Sequence, residues 1–557
     1  MQVLQVDIRT GSAEGFRLVC APVSHGRRFV SSIVRVLVCA AVQIVLLNCP
    51  GLQARGGEDP GNEVVCQGQA AIQWPAGKSP SALLDALAVD QTPAQPQARV
   101  EQLSEKLSEE AAPKPVTTMD PADADARPRL NAYWEYGIVL ESADKAFRFH
   151  VGGRLDFDNT WYHQSQDLPF LLQDGGDMRR ARLRADGAIG ETIDFVTEVN
   201  FANIQDVTNE DSTAQIGSVG LTDFYVDFKQ IPLVQNIRIG HFNEPMGLEN
   251  LTSSNCWYYM EQSPGHDAFL QPFNYVTGIE TFNTWCDERV TGAVAFERVG
   301  KQDISPFAFG SGPGKYAVTA RATCLPMYAN DGRRLLHLGI GYTYGGTENN
   351  FYAANRPLVR AGAGSQEVPN IIYTGTYYTP DAVQIVDAEI AAVLGRFSLS
   401  AEYQLAMGSN IYGQLNNGVF SDPRGNVAYQ GFYTEAGFFL NPDDYRRYDK
   451  KNATWGRQVT QGESSAAKTY SPWLFACHTP VQLLCRYSYL DLASGNPVLT
   501  PSSGAPAGWE HDITAGVDWY VNPEVHFMVN YVYTRLDYVN GTGGNINGLG
   551  CRMHVDF

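Results

Sequence analysis

The strongest constraint on the fold is an alternation of apolar and polar residues with a period of two, the period of a β-strand. It is clearest between residues 147 and 158, where one face is apolar and the other is charged. The apolar face consists of Phe147, Phe149, Val151, Leu155 and Phe157, and the charged face consists of Arg148, His150, Arg154, Asp156 and Asp158. Such a strand has hydrocarbon on one side and water on the other, as in a barrel wall or a soluble sandwich.

A second pair of such segments is joined by a short turn at Pro523. Residues 513–521 and 525–533 keep apolar side chains at every second position, and proline favours a tight turn between them. Each apolar face is about ten residues long and carries aromatic rings near its ends, as expected for rings at the headgroup level of a membrane. This pattern predicts an antiparallel hairpin that crosses a bilayer.

The end of the chain separates a membrane barrel from a soluble sandwich. Apolar residues from Leu549 to Val555 alternate with polar ones, and the last residue is Phe557. A terminal aromatic residue after such alternation resembles the signal that outer-membrane barrels present to their assembly machinery, and a soluble sandwich has no use for it. We therefore predict an all-β fold, a transmembrane antiparallel β-barrel in residues 145–557.

The N-terminal region predicts secretion. Basic residues precede an apolar run from Val36 to Leu47, and a small residue follows at Ala54. This is the order found in a signal peptide, and a run of ~12 residues is too short to cross a bilayer as a helix. We predict a signal peptide in residues 1–54 and an outer-membrane destination. A lipoprotein box that ends at Cys49 is the alternative.

Residues 55–144 lie between the leader and the predicted barrel. They are rich in proline, alanine, glutamine and glutamate, which predicts a periplasmic extension that is partly helical. Val100, Leu103 and Leu107 have the spacing of a short coiled coil, which would link subunits. A solvated linker helix accounts for the same spacing, and the sequence leaves both alternatives open.

The charge balance excludes a nucleic-acid partner. Lys and Arg total 41 against 60 Asp and Glu, a net charge of −19, whereas binding to a phosphate backbone depends on basic surface. The cysteines form no CxxC pair and lack the spacing of metal ligands, so no metal or cofactor is predicted. A disulfide between Cys256 and Cys286 is permitted in an oxidising compartment, but small apolar strand residues are the simpler interpretation of isolated cysteines.

Six stretches resemble the phosphate- and polyphosphate-selective porin family. They are FHVGGRL (149–155), MRRARL (178–183), IGHFNEPMGLE (239–249), LTSS (251–254), RYSYLDL (486–492) and VDWYVNP (517–523). The resemblance implies a sixteen-stranded barrel, usually trimeric, with an inward-folded third loop and an arginine-rich path for anions. It also implies a porin that passes small hydrophilic solutes by passive diffusion.

Alternation alone places Arg180, Arg182 and Arg184 on one face of a strand. Charge on the lipid face of a barrel costs several kcal/mol, so this face is predicted to look into water. Salt bridges inside a solvated barrel are an equally good account of the same arginines. The candidate partners for such bridges are Asp186, Glu198 and Asp223.

The resemblance assigns roles to individual residues near the pore. It implies that Arg154, Arg179 and Arg180 line the anion path and that Asp223 is an acidic residue close to the constriction. Simple alternation points Arg179 outward. Its implied role therefore requires a loop, a bulge or an interface at this position.

The same resemblance places Glu261 and Gln262 in the constriction loop. Gln262 stands where the family often has a basic residue, and Asn250 stands where it frequently has lysine. Rings of basic residues favour anions in a pore, and two such groups are missing here. The sequence therefore leaves the permeant solute open.

An enzyme is not predicted. Trp257, Glu261, His266 and Asp267 crowd the same loop, and paired carboxylates can hydrolyse glycosides, but no GxSxG, HExxH or phosphate-binding glycine loop occurs. We predict a passive outer-membrane porin in contact with membrane lipid and small hydrophilic solutes. The alternatives are a structural or adhesive barrel with a plugged lumen, and a secreted β-protein that binds or hydrolyses sugars.

Overall fold

The computed structural model describes residues 130–202, 220–270, 275–299, 315–346, 352–361, 368–416, 419–458, 479–495, 505–522 and 524–557. The predicted signal peptide and the predicted coiled-coil segment lie outside these ranges. No helix within the described ranges is long and apolar enough to cross a membrane.

Antiparallel strands dominate the described part of the chain. They are β1 (Leu130–Trp134), β2 (Ile138–Ser142), β3 (Phe147–Gln164), β4 (Gly175–Ile189), β5 (Ile193–Asn200), β6 (Gly220–Ile231), β7 (Gln235–Asn243), β8 (Tyr275–Trp285), β9 (Val290–Val299), β10 (Lys315–Ala329), β11 (Arg334–Gly346), β12 (Ala354–Asn355), β13 (Ile372–Tyr373), β14 (Ala382–Leu394), β15 (Phe397–Asn416), β16 (Val419–Phe439), β17 (Tyr448–Asp449), β18 (Thr454–Trp455), β19 (Val481–Asp491), β20 (Gly508–Tyr520), β21 (Val525–Tyr538) and β22 (Gly543–Asp556). Of these, β3 to β11, β14 to β16 and β19 to β22 form the barrel wall.

The wall closes because its last strand pairs with its first. Arg552 of β22 lies opposite Asp158 of β3 in this closing seam. The alternation fixes the two faces: Leu155 and Ile513 point outward and are 37% and 52% exposed, whereas Asp158 and Asp512 point inward and are 0% exposed. Closure pairs the two edges of the sheet, as a lipid environment requires. The predicted antiparallel barrel of 16 strands is confirmed in the described residues.

Strands β1 and β2 form a hairpin that extends the wall. β2 pairs with β3 from Arg148 to Val151, beyond the point where β22 ends. The Gly153 amide of β3 donates a hydrogen bond to the carbonyl of Phe557 at that junction. The hairpin belongs to the segment 55–144 that the sequence assigned to the extension, so hydrogen bonding to the barrel begins before residue 145.

The described residues of three segments fold into the lumen. The third loop (residues 244–274) connects β7 to β8 and contains the short helix α1 (Leu248–Leu251). The fifth loop (residues 347–381) connects β11 to β14 and carries β12 and β13. The inner segment (residues 441–458) follows β16, enters from the end of the barrel that has the short turns, and carries β17 and β18.

Apolar contacts hold the third loop inside the barrel. Met246, Phe269 and Leu270 of the loop share a buried hydrophobic cluster with Ile385 and Tyr429 of the wall. Removing side chains of this size from water stabilises the packed arrangement by about 1.5–3 kcal/mol each. The third loop therefore packs against the wall on the side of β14 and β16. The solvated space of the barrel lies on the opposite side of the loop, beside β3 to β10.

The described cysteines form no disulfide. Cys256 is a buried free thiol in the third loop, and Cys286 lies in an exposed turn between β8 and β9. The permitted link between these two residues is absent. Cys324, Cys485 and Cys551 are small residues of wall strands, in line with the simpler interpretation.

We expect the purified protein to migrate differently on SDS gels before and after boiling. A closed ladder has no free edge from which detergent can unzip it, so the barrel should survive SDS at room temperature. Electrophoresis together with circular dichroism tests this. Unchanged mobility combined with a helical spectrum would contradict the fold.

Candidate functional site

A cavity of about 670 Å³ lies between the third loop and the wall strands from β3 to β10. The residues predicted for the anion path and the constriction all line it. These residues are Arg154, Arg179, Arg180, Arg182, Arg184, Asp223, Glu261 and Gln262. The barrel thus brings together side chains that are up to about a hundred residues apart in the sequence.

Strand β4 supplies four of these arginines, three of them by regular alternation. Arg180, Arg182 and Arg184 face the cavity, whereas Leu183 is exposed on the outer surface. Each guanidinium has a carboxylate neighbour, and the nitrogen-to-oxygen distances are 2.9 Å to Asp156, 2.9 Å to Glu198 and 3.0 Å to Asp186, respectively. The arginines therefore both line the cavity and take part in internal ion pairs.

Asp223 and Arg154 complete this side of the cavity. Asp223 of β6 has a carboxylate oxygen 3.5 Å from Nη1 of Arg184. Arg154 of β3 donates from Nη2 to Glu198 at 2.6 Å and from Nη1 to the hydroxyl of Ser254 at 2.5 Å. Because Ser254 belongs to the third loop, Arg154 connects the wall to that loop.

Arg179 lies at a β-bulge. Asp156 of β3 pairs with Arg180, and the next residue, Phe157, pairs with Met178, so Arg179 is the extra residue on β4. A bulge redirects a side chain that strict alternation would point outward. Arg179 donates from Nε and Nη2 to the two carboxylate oxygens of Glu261, at 2.8 Å and 3.1 Å.

Glu261 is the most heavily paired carboxylate of the third loop. Besides Arg179, it has Arg360 of the fifth loop at 2.7 Å and Arg552 of β22 at 3.6 Å. Burial disfavours its charged form, but the guanidinium groups of Arg179 and Arg360 outweigh burial and hold the pKa of Glu261 well below its usual range. Glu261 is therefore ionised and fixes the loop between two parts of the barrel.

The two positions that depart from the family pattern also lie at the cavity. The amide nitrogen of Gln262 donates to the backbone oxygen of Glu249 at 3.1 Å. Asn250 donates to the backbone oxygen of Glu244, and its side-chain oxygen is 3.0 Å from Nε2 of His266. Burial lowers the pKa of His266 to about 4, so its imidazole is uncharged near neutral pH.

An aromatic ring of the third loop covers one of the cavity arginines. The guanidinium carbon of Arg180 lies 4.5 Å from the ring centroid of Trp257, a cation–π contact. The indole nitrogen of Trp257 donates to the backbone oxygen of Thr252 at 2.8 Å, which fixes the ring. Trp257 is thus a structural part of the channel wall, and the enzyme interpretation is not needed to explain it.

Sequence reasoning missed five further basic residues of the cavity. These are Arg238, Arg321, Arg356, Arg360 and Lys451. Arg321 follows the alternation of β10, so the sequence pattern could have identified it. The fifth loop and the inner segment have no periodic pattern that would have indicated their basic residues. In the described residues the lining then contains 10 basic side chains against four acidic ones, Glu198, Asp223, Glu261 and Glu280.

The described residues contain no group of three or more His, Cys, Asp or Glu placed to hold a metal ion. What the cavity offers is a dense row of guanidinium groups, which form short, charge-assisted hydrogen bonds with anionic oxygens. Residues 148–557 match the profile of the family described as phosphate-selective porin O and P. The chain belongs to this family.

Individual relatives are distant. The chain is similar to Porin O of Pseudomonas aeruginosa, with 21% identity over 74% of this chain and 89% of that protein. Among solved structures it is similar to the outer membrane channel DcaP of Acinetobacter baumannii, with 13% identity, a TM-score of 0.43, and coverage of 75% of this chain and 99% of that one. It is also similar to an anion-selective porin from Comamonas acidovorans, with 9% identity, a TM-score of 0.40, and coverage of 74% and 100%.

Membership of the porin family settles the class of protein. The chain is an outer-membrane channel protein and not an enzyme, as the sequence predicted. The secreted sugar-binding or hydrolytic β-protein is therefore wrong for this chain.

The far side of this porin has the opposite charge from its arginine side. We name the acidic wall from the buried carboxylates of β14, β15, β16 and β20. They are Asp387, Glu389, Glu402, Glu435, Glu510, Asp512 and Asp518. Within the described residues, the third loop contacts this acidic wall at Glu402, whereas Glu389 is bonded by Arg321 of the cavity lining at 2.6 Å.

Proposed function

We propose that this porin is a passive diffusion channel that prefers anions, with phosphate as the candidate solute. One observation carries the proposal: a chain with a net charge of −19 has a cavity lined by 10 basic and four acidic side chains in its described part. A lining of one sign concentrates counter-ions and sets the preference of a pore. The family description supports phosphate as the solute.

Internal pairing leaves part of the lining positively charged, although carboxylates behind the lining pair with Arg180, Arg184, Arg238 and Arg321. Arg182 and Arg154 share the single carboxylate of Glu198, and Arg179 and Arg360 share Glu261. Arg360 also bonds Asp267, which lies 3.6 Å from Arg356. The group of three around Glu198 and the group of five around Glu261 and Asp267 therefore each carry a net charge of +1. An anion that enters the cavity can accept hydrogen bonds from guanidinium nitrogens without displacing a carboxylate.

Reversal potentials across planar bilayers test the proposal. The full-length porin, under a salt gradient, should give a potential whose sign corresponds to an anion-to-cation permeability ratio above one. Adding inorganic phosphate at low chloride should reduce chloride conductance by competition. A ratio at or below one would overturn anion preference, whereas a preserved ratio without phosphate competition would overturn only the choice of solute.

Gln262→Arg should raise the anion-to-cation permeability ratio about two-fold. A unit charge ~8 Å from the ion path contributes about 0.5 kcal/mol in water, which one Debye length of screening reduces to about 0.2 kcal/mol. Because the contribution has opposite sign for anions and cations, the ratio changes by about two-fold. Gln262→Met is the neutral control for side-chain size, and an equal ratio for both variants would place residue 262 away from the ion path.

A plugged, structural barrel is the second candidate function, because three segments occupy the described lumen. The two functions differ in conductance. A plugged barrel would insert into bilayers without producing resolvable current steps, and its arginine variants would behave like the unmodified protein.

We also propose that the porin assembles as a homotrimer, which its resemblance to a usually trimeric family supports. Deleting residues 55–129 should leave a folded, heat-modifiable barrel, because the described wall and the β1–β2 hairpin begin only at Leu130. Light scattering in detergent should report three copies for the full chain. A loss of trimers on deletion would assign assembly to the predicted coiled coil, and a loss of folding would show that the extension is part of the barrel.

A further inference from the structure

The third loop is seated on the acidic wall by one carboxylate in particular. The backbone amide of Leu248 donates to Oε2 of Glu402 at 3.0 Å, and that of Glu249 donates to Oε1 at 2.7 Å. The hydroxyl of Tyr433 donates to Oε1 of the same carboxylate at 2.5 Å. Glu402 thus accepts the first free amides of helix α1, which would otherwise be buried without partners.

Close contact between the backbone of the third loop and the wall strands supports this position of the loop. A Cβ atom added to Gly431 of β16 would lie 2.9 Å from the Cα atom of Gly265 in the third loop. A Cβ atom added to Gly265 would in turn overlap Oε1 of Gln404 on β15, the end of a flexible side chain. The absence of a side chain at Gly431 therefore lets the backbone of the loop lie directly against the wall.

We propose that Glu402 is a positioning residue for ion selectivity: it holds the third loop over the acidic wall and so hides that wall's carboxylates from the ion path. With the loop in place, the pore has one charged surface, the arginine side. Without the loop, the carboxylates of the acidic wall would form a second charged surface. This inference rests on the proposed anion preference and names a residue outside the cavity that maintains it.

The charge of the acidic wall explains why the cover matters. The wall strands from β14 to β20 carry seven buried carboxylates and one buried arginine, Arg486, in the described chain. One of the seven, Glu389, is paired with Arg321 of β10. Carboxylates removed from water are paired or take up a proton because an isolated buried charge is costly. Once the loop leaves, pore water reaches the carboxylates that it covers, and the lumen gains a negative surface opposite the arginines.

Glu402→Ala should change selectivity in the direction opposite to that expected for the loss of a negative charge. Simple removal of one negative charge would shift selectivity towards anions. Release of the loop should instead shift it towards cations and raise single-channel conductance, because several carboxylates become accessible at once. We expect the anion-to-cation permeability ratio to fall by more than about two-fold, the change expected for one unit charge.

An uncharged variant provides the second test. Gly431→Leu forces Gly265 off the wall and leaves every carboxylate in place, so it should also lower the ratio and raise conductance. Glu435→Ala is the matched control, since this buried carboxylate bonds Ser400 of the wall at 2.6 Å and accepts no backbone amide of the loop. Glu402→Gln retains an acceptor oxygen and should restore part of the unmodified ratio.

The measurements are reversal potentials and single-channel currents of full-length variants that keep the heat-dependent mobility shift on SDS gels. A lower ratio in both Glu402→Ala and Gly431→Leu, without a decrease in Glu435→Ala, supports the proposal. A higher or unchanged ratio in Gly431→Leu overturns it, and so does a ratio that rises in Glu402→Ala. The change between variants decides this point, whereas the absolute ratio of the unmodified porin decides the proposed function.

Discussion

The double variant Arg154→Ala and Arg180→Ala should have an anion-to-cation permeability ratio about four-fold lower than that of the unmodified porin. The two side chains lie on the neighbouring strands β3 and β4 and line the same cavity. Each removed unit charge at ~8 Å from the ion path changes the ratio by about two-fold. Their former partners, Glu198 and Asp156, remain and make the local charge more negative.

Lysine variants provide the control for this experiment. Arg154→Lys with Arg180→Lys keeps both charges but loses the planar fork that bonds two groups at once. We expect it to retain most of the selectivity. The effect of the alanine variant should also shrink in 1 M salt, where the Debye length is ~3 Å. Reversal potentials that alanine leaves unchanged would mean that these arginines act only as internal salt-bridge partners.

The orientation of side chains in the barrel wall could be predicted from the sequence, because one face of the wall contacts lipid and the other contacts water. Arg180, Arg182 and Arg184 could be placed in the lumen by counting, since a slip of one residue would put charge into lipid. The same rule gave Asp158 and Arg552 their inward orientation, and the structure has both buried. Every wall strand must keep charged side chains out of lipid, and this requirement produces the alternation seen in the sequence.

Alternation failed where the backbone departs from a regular strand. Arg179 has the wrong parity for the lumen, and only the bulge beside Asp156 turns it towards Glu261. The sequence alone left a loop, a bulge and an interface open, because no residue pattern distinguishes them at this position. The bulge depends on the register of β3 against β4, which is a property of two segments together.

The residues that enter the lumen from loops could not be found by periodicity. Arg360 of the fifth loop bonds Glu261 and Asp267 of the third loop. The two loops are far apart in the sequence. Arg446 of the inner segment stacks on Tyr258 with its guanidinium carbon 3.7 Å from the ring centroid. These contacts depend on where the loops fold, and neither loop has an apolar repeat that would indicate it.

The β1–β2 hairpin shows the same limit at the boundary of a domain. Residues 130–142 carry too few alternating positions to stand out from the predicted extension that precedes them. Pairing with β3 decides their structure, since Ile138 lies opposite Val151 at the edge that β22 leaves open. A short segment thus becomes a strand because the barrel provides its partner.

Arg552→Leu should lower the free energy of unfolding by about 3–5 kcal/mol, the cost of leaving a buried charge without its partner. Arg552 donates from Nε and Nη2 to the two carboxylate oxygens of Asp158, each at 2.7 Å, across the seam that closes the barrel. Its side chain also lies 3.6 Å from Glu261 of the third loop. The substitution leaves Asp158 buried and unpaired where the first and last strands meet.

Urea unfolding in detergent micelles, followed by the heat-dependent mobility shift, measures this change. Arg535→Leu is the matched control, because Arg535 of β21 forms a solvent-exposed pair with Asp537, and such pairs contribute about 0–1 kcal/mol. The double variant Arg552→Leu with Asp158→Leu removes both charges and should regain much of the lost stability, since an apolar pair of similar volume can replace a buried ion pair. If Arg552→Leu and Arg535→Leu unfold at the same urea concentration, the seam is held by its backbone ladder and the bidentate pair contributes no measurable stability.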